Sequence, residues 1–344
     1  QEMKKAGVTP WVTLFHWDYP YELYLKGGWL NPESPAWFEE YAAVFAELFG
    51  DYVTNFILIN EPQCFVGLGH LTGGHAPFLK LPVQEVMRVA HNVLLACGRA
   101  EKRIRSILPH AKIGAAQAYW PSLPYTEKDY GLAKKDTFAC HEDFGTANYY
   151  LDPLIYGKYP EEFAAWHKKY GFTYPESDME IIKGKVDFIG LNTYSGNYVT
   201  EKDGKLVPVT PAPTVPKTDM RWNVYPDSLY YGPKFIWERY HLPVVITENG
   251  VALAEWKDLN GEINDDSRID YTKRYLRSLH CAAQELPVKG YFHWSFIDNF
   301  EWAEGCSKKF GLVHIDYETG ERSPKKSAHW YKKVMDTNGE EIFR

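Results

Sequence analysis

The chain lacks the features of several broad protein classes. Its 344 residues contain no apolar run that approaches the ~18 residues of a membrane-spanning helix. They contain no G-x-G-x-x-G and no G-x-x-x-x-G-K-[ST] motif, so the usual nucleotide-binding signals are missing. A net charge of −7 argues against a general nucleic-acid binder, which presents a basic face. We therefore expect neither a membrane nor a nucleic acid as a partner.

Cysteine is scarce and is not arranged for disulfides or metal binding. The five cysteines are odd in number and form no C-x-x-C pair. The chain also has no N-x-[ST] sequon and no visible signal peptide. Its other candidate ligands, such as His70 and His75, lack metal-ligand spacing. These absences predict a reduced, cytoplasmic protein with no metal site and no cofactor.

Aromatic residues, in contrast, are abundant. They make up 16% of the chain, with 12 Trp and 25 Tyr. Aromatic rings pack well in cores, and in pockets they also stack on the apolar faces of sugars while offering a polar group. The composition is therefore compatible with carbohydrate binding without demonstrating it.

Short apolar strands alternate with longer amphipathic helices along the chain. The strands are predicted at Trp11–Phe15, Phe56–Ile59, Lys112–Ala115, Val186–Leu191, Val244–Thr247 and Val288–Trp294. Helices are predicted at Ala36–Phe49, Val83–Leu108 and Ser267–Gln284, and the Pro-rich stretch Val207–Lys217 is predicted to be a long loop. This alternation predicts βαβ units and a parallel sheet.

A doubly wound sheet and a (β/α)8 barrel both satisfy this pattern. The barrel is favoured because polar or acidic residues follow one strand after another, as at His16, Glu61, Asn192 and Glu248. Barrel active sites draw residues from many strand ends, whereas a doubly wound sheet concentrates its site at one switch point. Only about six of the eight strands of a barrel can be counted.

Two glutamates are the main clue to function. Glu61 and Glu248 each come directly after an apolar, β-branched run, and each is soon followed by a residue that ends a strand, Pro62 or Gly250. Glycoside hydrolysis uses such a pair, one carboxyl to protonate the leaving oxygen and one to attack or to activate water. A single Glu after a strand would more often be a capping or ion-paired carboxylate.

Five motifs, in this order, resemble glycoside hydrolase family 1, the β-glucosidases and their relatives. They are Leu14–Asp18, Asn60–Pro62, Asp187–Tyr194, Ile246–Gly250 and Trp294–Trp302. The resemblance implies a retaining β-glycosidase, in which Glu61 is the general acid/base and Glu248 is the nucleophile that forms a covalent glycosyl-enzyme. It implies that the residues lining the sugar site are His16, Asn60, Asn192, Tyr194, Trp294, Glu301 and Trp302. Trp222 resembles an aromatic of the aglycone side.

The resemblance also narrows the substrate. Plant thioglucosidases of the family carry Gln in place of the acid, whereas this chain has Glu61. Phospho-β-glycosidases lack the Glu-Trp pair that is present here as Glu301 and Trp302. These residues imply non-phosphorylated β-D-glucosides, with β-galactosides or β-fucosides as tolerated alternatives.

Residue 1 aligns with the helix before the third strand of the family's barrel. Residues 1–344 are thus expected to be a single catalytic barrel domain that lacks the first two strand–helix units, including an Arg that contacts the nucleophile. We expect the gap to be filled by an N-terminal complementing segment or by homo-oligomerisation. The alternatives are a truncated, weakly active or inactive sugar-binding remnant and a structural protein built on an open barrel.

Overall fold

The computed structural model describes residues 1–344. Its strands are β1 Trp11–Phe15, β2 Asn55–Asn60, β3 Lys112–Ala118, β4 Ser122–Pro124, β5 Phe188–Asn192, β6 Asn197–Lys202, β7 Lys205–Pro208, β8 Val244–Asn249, β9 Val288–His293, β10 Val313–Ile315 and β11 Arg322–Pro324. Its α-helices are α1 Glu2–Lys5, α2 Tyr21–Leu25, α3 Ser34–Phe49, α4 Val83–Ile107, α5 Tyr130–Thr137, α6 Asn148–Tyr156, α7 Ala164–Lys169, α8 Glu176–Ile182, α9 Ser228–Tyr240, α10 Asp266–Ala283 and α11 Lys326–Asp336. A π-helix spans Cys64–Thr72. No helix combines the length and the apolar character needed to cross a bilayer.

Six strands form one sheet in the order β1-β2-β3-β5-β8-β9. The pairs β1–β2, β2–β3 and β8–β9 are parallel. All six predicted strands and all three predicted helices are therefore confirmed, with ends shifted by a few residues. The buried strands β2 and β5 are apolar on both faces, which is typical of parallel strands covered by helices.

The chain forms two compact units. The first contains Gln1–Ala118 and Phe138–Gly190, and the second contains Tyr119–Thr137 and Leu191–Arg344. The expectation that residues 1–344 act as one catalytic domain stays a prediction.

The first unit has a large apolar core in which α4 is central. Helix α4 buries a stripe that includes Val86, Val93 and Cys97. Gly98 lies where α4 meets the end of α8, and a Cβ there would stand 2.1 Å from the backbone oxygen of Ile181. A larger residue at position 98 would therefore push these two helices apart.

The second unit contains two small sheets that the sequence did not predict. One has the order β4-β6-β7, and the other pairs β10 with β11 in antiparallel fashion. The loop predicted for Val207–Lys217 is wrong at its start, because Val207 and Pro208 pair with β6 as the end of β7. Pro208 lies on β7, an edge strand of its sheet, where proline is tolerated.

Candidate active site

In the first unit, Glu61 lies directly after β2. Its backbone has a φ of +45° and its N–H donates to the carbonyl oxygen of Ala116 at 2.9 Å. A positive φ is uncommon outside glycine, and such residues concentrate at functional sites. The turn ends the strand at Asn60, and the side chain of Glu61 is 9% exposed. A nearly buried carboxyl thus stands at the carboxyl end of a buried strand.

Asn60 and His16 lie beside this glutamate. The Asn60 amide nitrogen is 3.1 Å from His16 Nε2, and Trp17 Nε1 donates to the Asn60 carbonyl oxygen at 3.0 Å. Burial lowers the pKa of His16 to about 4, against a smaller opposing effect of the Asp18 charge. His16 is therefore neutral at pH 7. Because an amide nitrogen only donates, Nε2 accepts and the ring proton sits on Nδ1.

Sequence reasoning missed Cys64 as a neighbour of Glu61. The Cys64 thiol donates to Glu61 Oε2 at a distance of 3.2 Å. The signal for this contact was the three-residue spacing, which places side chains on one face of a helical turn. The first unit therefore brings together His16, Asn60, Glu61 and Cys64.

In the second unit, Glu248 lies within β8 and its side chain contacts Tyr194. The Tyr194 hydroxyl donates to Glu248 Oε2 at 2.7 Å. Tyr194 is itself held, because the hydroxyls of Tyr271 and Tyr275 both donate to its carbonyl oxygen at 2.9 Å. Glu248 is 9% exposed. A nearly buried carboxylate thus has one oxygen fixed by a buried phenol.

Two more predicted residues line the same part of the second unit. The Thr247 hydroxyl donates to the side-chain oxygen of Asn192 at 2.5 Å, which ties Asn192 to the strand that carries Glu248. The ring of Trp222 lies 5.1 Å from the ring of Tyr194 and 5.5 Å from that of Trp120. Trp120 was not predicted, and it is 40% exposed. The Trp222 ring therefore stands next to the phenol that contacts Glu248, and the Trp120 ring stands next to Trp222.

The remaining predicted residues come from one segment of the second unit. Trp294 packs against the small apolar cluster that contains Tyr194 and Phe310. Glu301 Oε2 accepts from the Asn299 amide at 2.9 Å. Burial raises the pKa of Glu301, although hydrogen bonds from Asn299 and Trp294 act in the opposite direction. Trp302 follows with a φ of +45° and begins a 3-10 helix, Trp302–Ser307.

A buried ionic network lies behind this segment. Ligand atoms of Glu255, Asp298 and His314 approach within 4.8 Å of one another, as they would around a metal ion. The Lys325 ammonium, however, pairs with Glu255 and lies 2.9 Å from Asp298 Oδ1. The guanidinium of Arg268 contacts Glu255 at 2.8 Å. The carboxylates therefore already have cationic partners from the protein.

Comparison with known proteins places the chain among glycosidases. The family model described as glycosyl hydrolase family 1 matches residues 1–340. Beta-glucosidase A of Thermotoga maritima is 41% identical over 343 residues, which cover 97% of this chain and 75% of that protein. The bifunctional beta-D-glucosidase/beta-D-fucosidase of Bifidobacterium breve is 35% identical, with 96% of this chain and 75% of that protein covered.

Solved structures agree with the sequence relatives. The family 1 β-glucosidase from Thermotoga maritima matches with a TM-score of 0.86 and 39% identity, over 98% of this chain and 75% of that one. The β-glucosidase from the same organism in complex with deoxynojirimycin matches with a TM-score of 0.87 and 39% identity, over 98% and 76%. The chain thus spans about three quarters of the length of these relatives.

Proposed function

Since the chain belongs to glycosyl hydrolase family 1 and is a retaining β-glucosidase, we propose that Glu61 and Glu248 divide its chemistry between them. Glu61 acts as general acid and then as general base, and Glu248 acts as the nucleophile. The observation that carries this proposal is the matched placement of the two residues. Each residue is 9% exposed and stands at the carboxyl end of a strand, where barrel enzymes hold their catalytic groups.

The family also fixes the fold. The chain has the (β/α)8 barrel fold of its structural relatives, and six of its strands form the parallel sheet described above. Relatives named β-glucosidases, at 39–41% identity over 97% of the chain, favour an active enzyme over an inactive sugar-binding remnant.

The proposed reaction has two steps. First, a Glu248 oxygen forms a bond to the anomeric carbon while the bond to the aglycone oxygen breaks, and that oxygen takes the proton of Glu61. Second, a water oxygen attacks the same carbon, Glu61 takes the water proton, and Glu248 leaves as a carboxylate. Two inversions at one carbon give net retention. Tyr194 holds Oε2 of Glu248, so we assign the attack to Oε1.

The sugar is a non-phosphorylated β-D-glucoside. We propose that Glu301 accepts hydrogen bonds from its hydroxyls, and that Trp294 and Trp302 contribute ring faces and indole N–H groups. A carboxylate at position 301 would repel a sugar phosphate. We propose β-D-fucosides and β-galactosides as secondary substrates. The relative from Bifidobacterium breve, whose name includes both glucosidase and fucosidase, supports the first of these.

We further propose that His16, Asn60 and Asn192 contact the glycone, and that Trp222 lines the aglycone side. His16 is neutral and hydrogen-bonded to Asn60, so the pair offers oriented polar groups without a net charge. Trp222 stands beside Trp120, whose exposed ring provides a surface for an aglycone.

Leaving-group dependence tests the role of Glu61. The Glu61→Ala variant should lose most of its kcat/KM with methyl β-D-glucoside, because the alkoxide needs a proton. It should lose far less with 2,4-dinitrophenyl β-D-glucoside, whose phenolate leaves unprotonated. The control is Glu47→Ala, which removes a half-exposed glutamate. Equal losses with the two substrates would contradict the assignment of Glu61 as the acid.

We also propose that a further segment of polypeptide covers the edges of the six-stranded sheet. The outer strands are β1 and β9. Beside β1 lies an apolar groove of about 340 Å³, lined by residues that include Phe15, Trp29 and Phe38. Phe292 of β9 is 38% exposed. Open strand edges with exposed apolar side chains favour the addition of strands.

Light scattering with intact-mass measurement tests this covering segment. A second polypeptide bound to the 39.8 kDa chain would support the proposal. A complex of two identical chains would instead assign the edges to homo-oligomerisation. A fully active monomer of 39.8 kDa would contradict both.

We propose a cytoplasmic location for the protein. All five cysteines are free thiols in the structure, and Cys281 and Cys306 are exposed. Free exposed thiols persist in reducing compartments. Detection of the protein in an extracellular or periplasmic fraction of its host would contradict this location.

A further inference from the structure

Asn299 lies at the centre of a short chain of hydrogen bonds that ends on Glu301. The Ser295 hydroxyl lies 2.8 Å from the Ile297 carbonyl oxygen and 3.1 Å from Asn299 Oδ1 and shares its one proton between them, and Asn299 Nδ2 donates to Glu301 Oε2 at 2.9 Å. The Tyr317 hydroxyl donates to the Asn299 carbonyl oxygen at 3.0 Å. Because a carboxylate only accepts, the amide nitrogen must face Glu301 and the amide oxygen must face Ser295. Both ends of the amide and its backbone are therefore fixed.

The backbone of Glu301 is fixed as well. Its N–H donates to the Gly305 carbonyl oxygen at 2.7 Å, and its own carbonyl oxygen accepts from Glu304 N–H at 2.8 Å. The rotamer of the carboxylate then depends on the side-chain donors that reach it. Asn299 supplies such a donor from only two residues away.

We propose that Asn299 is a positioning residue that fixes the Glu301 carboxylate as an acceptor for glycone hydroxyls. The inference rests on the proposed role of Glu301 in binding the sugar. Asn299 donates to Oε2 and, together with the Trp294 hydrogen bond, restrains the orientation of the carboxylate before substrate arrives. A preoriented acceptor loses less conformational entropy on binding than a mobile one.

Electrostatics strengthen the need for such a donor. Burial raises the pKa of Glu301, and the Glu304 charge acts in the same direction, whereas the Asn299 and Trp294 hydrogen bonds lower it. Glu304 itself faces the ammonium of Lys308 at 3.8 Å. Once protonated, Glu301 would lose part of its acceptor capacity. Since its folded pKa is raised, sugar binding should weaken as the pH falls toward that pKa.

The Asn299→Leu variant removes the donor while keeping the side-chain size. We expect KM for p-nitrophenyl β-D-glucoside, and Ki for D-glucose, to rise about tenfold or more, the usual range for a lost hydrogen bond to a charged group. The loss of glucose binding should also begin at a higher pH than in the wild type, because the Asn299 hydrogen bond lowers the pKa of Glu301. A purely structural defect would not move that pH dependence.

The matched control is Asn264→Leu. Asn264 also donates its amide to a carboxylate, Asp258 Oδ2 at 3.0 Å, but on an exposed turn. A second variant, Ser295→Ala, removes the hydroxyl that is shared between Asn299 Oδ1 and the Ile297 carbonyl oxygen and should give a smaller shift in the same direction. Thermal melting identifies any variant that fails to fold. If Asn299→Leu fails to fold, Ser295→Ala provides the test.

A double-mutant cycle with Glu301→Ala separates the possible outcomes, because alanine removes the acceptor of the Asn299 amide. If Asn299 acts through Glu301, Asn299→Leu should have no further effect in the Glu301→Ala background. The same loss in both backgrounds, or kinetics within twofold of Asn264→Leu, would overturn the inference. If Glu301→Ala itself left KM and Ki unchanged, the proposed sugar-binding role of Glu301 would be wrong instead.

Discussion

The Tyr194→Phe substitution probes the nucleophile most directly. It removes only the hydroxyl that donates to Glu248 Oε2 at 2.7 Å. The ring remains, and with it the packing against Trp222 and Phe310 at ring distances of 5.1 and 6.1 Å. The backbone carbonyl of residue 194 keeps its two tyrosine donors. The fold around Glu248 should therefore survive the change.

The two chemical steps should respond differently. Glu248 starts as a carboxylate, becomes a neutral ester in the glycosyl-enzyme and returns to a carboxylate when it leaves. A hydrogen bond to a charged group contributes about 1.5–3 kcal/mol and one to a neutral group about 0.5–1.5 kcal/mol. The difference, about 1–1.5 kcal/mol, corresponds to a roughly five- to tenfold slower second step. The rate of the first step should fall less. That step starts from the Glu248 carboxylate, which the lost hydrogen bond leaves less stabilised in the variant.

Stopped-flow measurement with 2,4-dinitrophenyl β-D-glucoside separates the steps. The variant should show a burst of phenolate that approaches the enzyme concentration, followed by a lower kcat, while kcat/KM changes less. Tyr198→Phe is the matched control, since it removes a phenol that donates to Asp227 Oδ2 at 2.6 Å away from the proposed site. A variant that loses kcat and kcat/KM equally without a burst would refute this reasoning.

Three other measurements test named groups. Glu248→Gly should abolish hydrolysis, and added azide should restore turnover to a glycosyl azide; unaided wild-type turnover would exclude Glu248 as the nucleophile. Lys325→Met should lower the free energy of unfolding in urea by about 3–5 kcal/mol, because the buried Asp298 loses its lysine partner and Glu255 keeps only Arg268; a loss below about 1 kcal/mol would contradict this. Burial and nearby cations lower the pKa of His293 to about 3. Only the unfolded chain then binds that proton near pH 6, so stability should fall by roughly 2 kcal/mol from pH 7 to pH 5. In thermal melts, the His293→Gln variant should lack this part of the decline in stability between pH 7 and pH 5. The same pH dependence of stability in the variant and the wild type would contradict the prediction.

The regular part of the fold was predictable because its signals are local. Strands such as β2 and β8 are unbroken apolar runs, and the buried stripe of α4 repeats with helical spacing. The proposed catalytic residues were predictable for a related reason, since each glutamate comes at the end of such a run. The small strands β6 and β7 were missed because Asn197–Lys202 and Lys205–Pro208 are short and largely polar or exposed.

The residues that orient the site were not predictable, because their partners are set by the folded backbone. Cys64 has no catalytic signature, and its three-residue spacing from Glu61 indicates a contact only if a helical turn follows Glu61, which the folded backbone decides. Asn299 lies within the motif Trp294–Trp302, of which only the glutamate and the tryptophans were predicted to bind the sugar. Its amide nevertheless contacts Glu301. Trp120 stands beside Trp222 across about a hundred positions of sequence. No spacing rule links residues so far apart.

The buried cations of the second unit explain how irregular segments around Glu248 are held in place. Arg268 is fully buried, and it donates to the carbonyl oxygens of Val251, Lys309 and Phe310. Val251 follows the strand that carries Glu248, and Phe310 packs on the Tyr194 ring. Buried carbonyls without donors would destabilise these segments by about 1–3 kcal/mol each. One guanidinium thus satisfies backbone carbonyls both in the segment after the Glu248 strand and in the segment whose Phe310 ring packs on Tyr194.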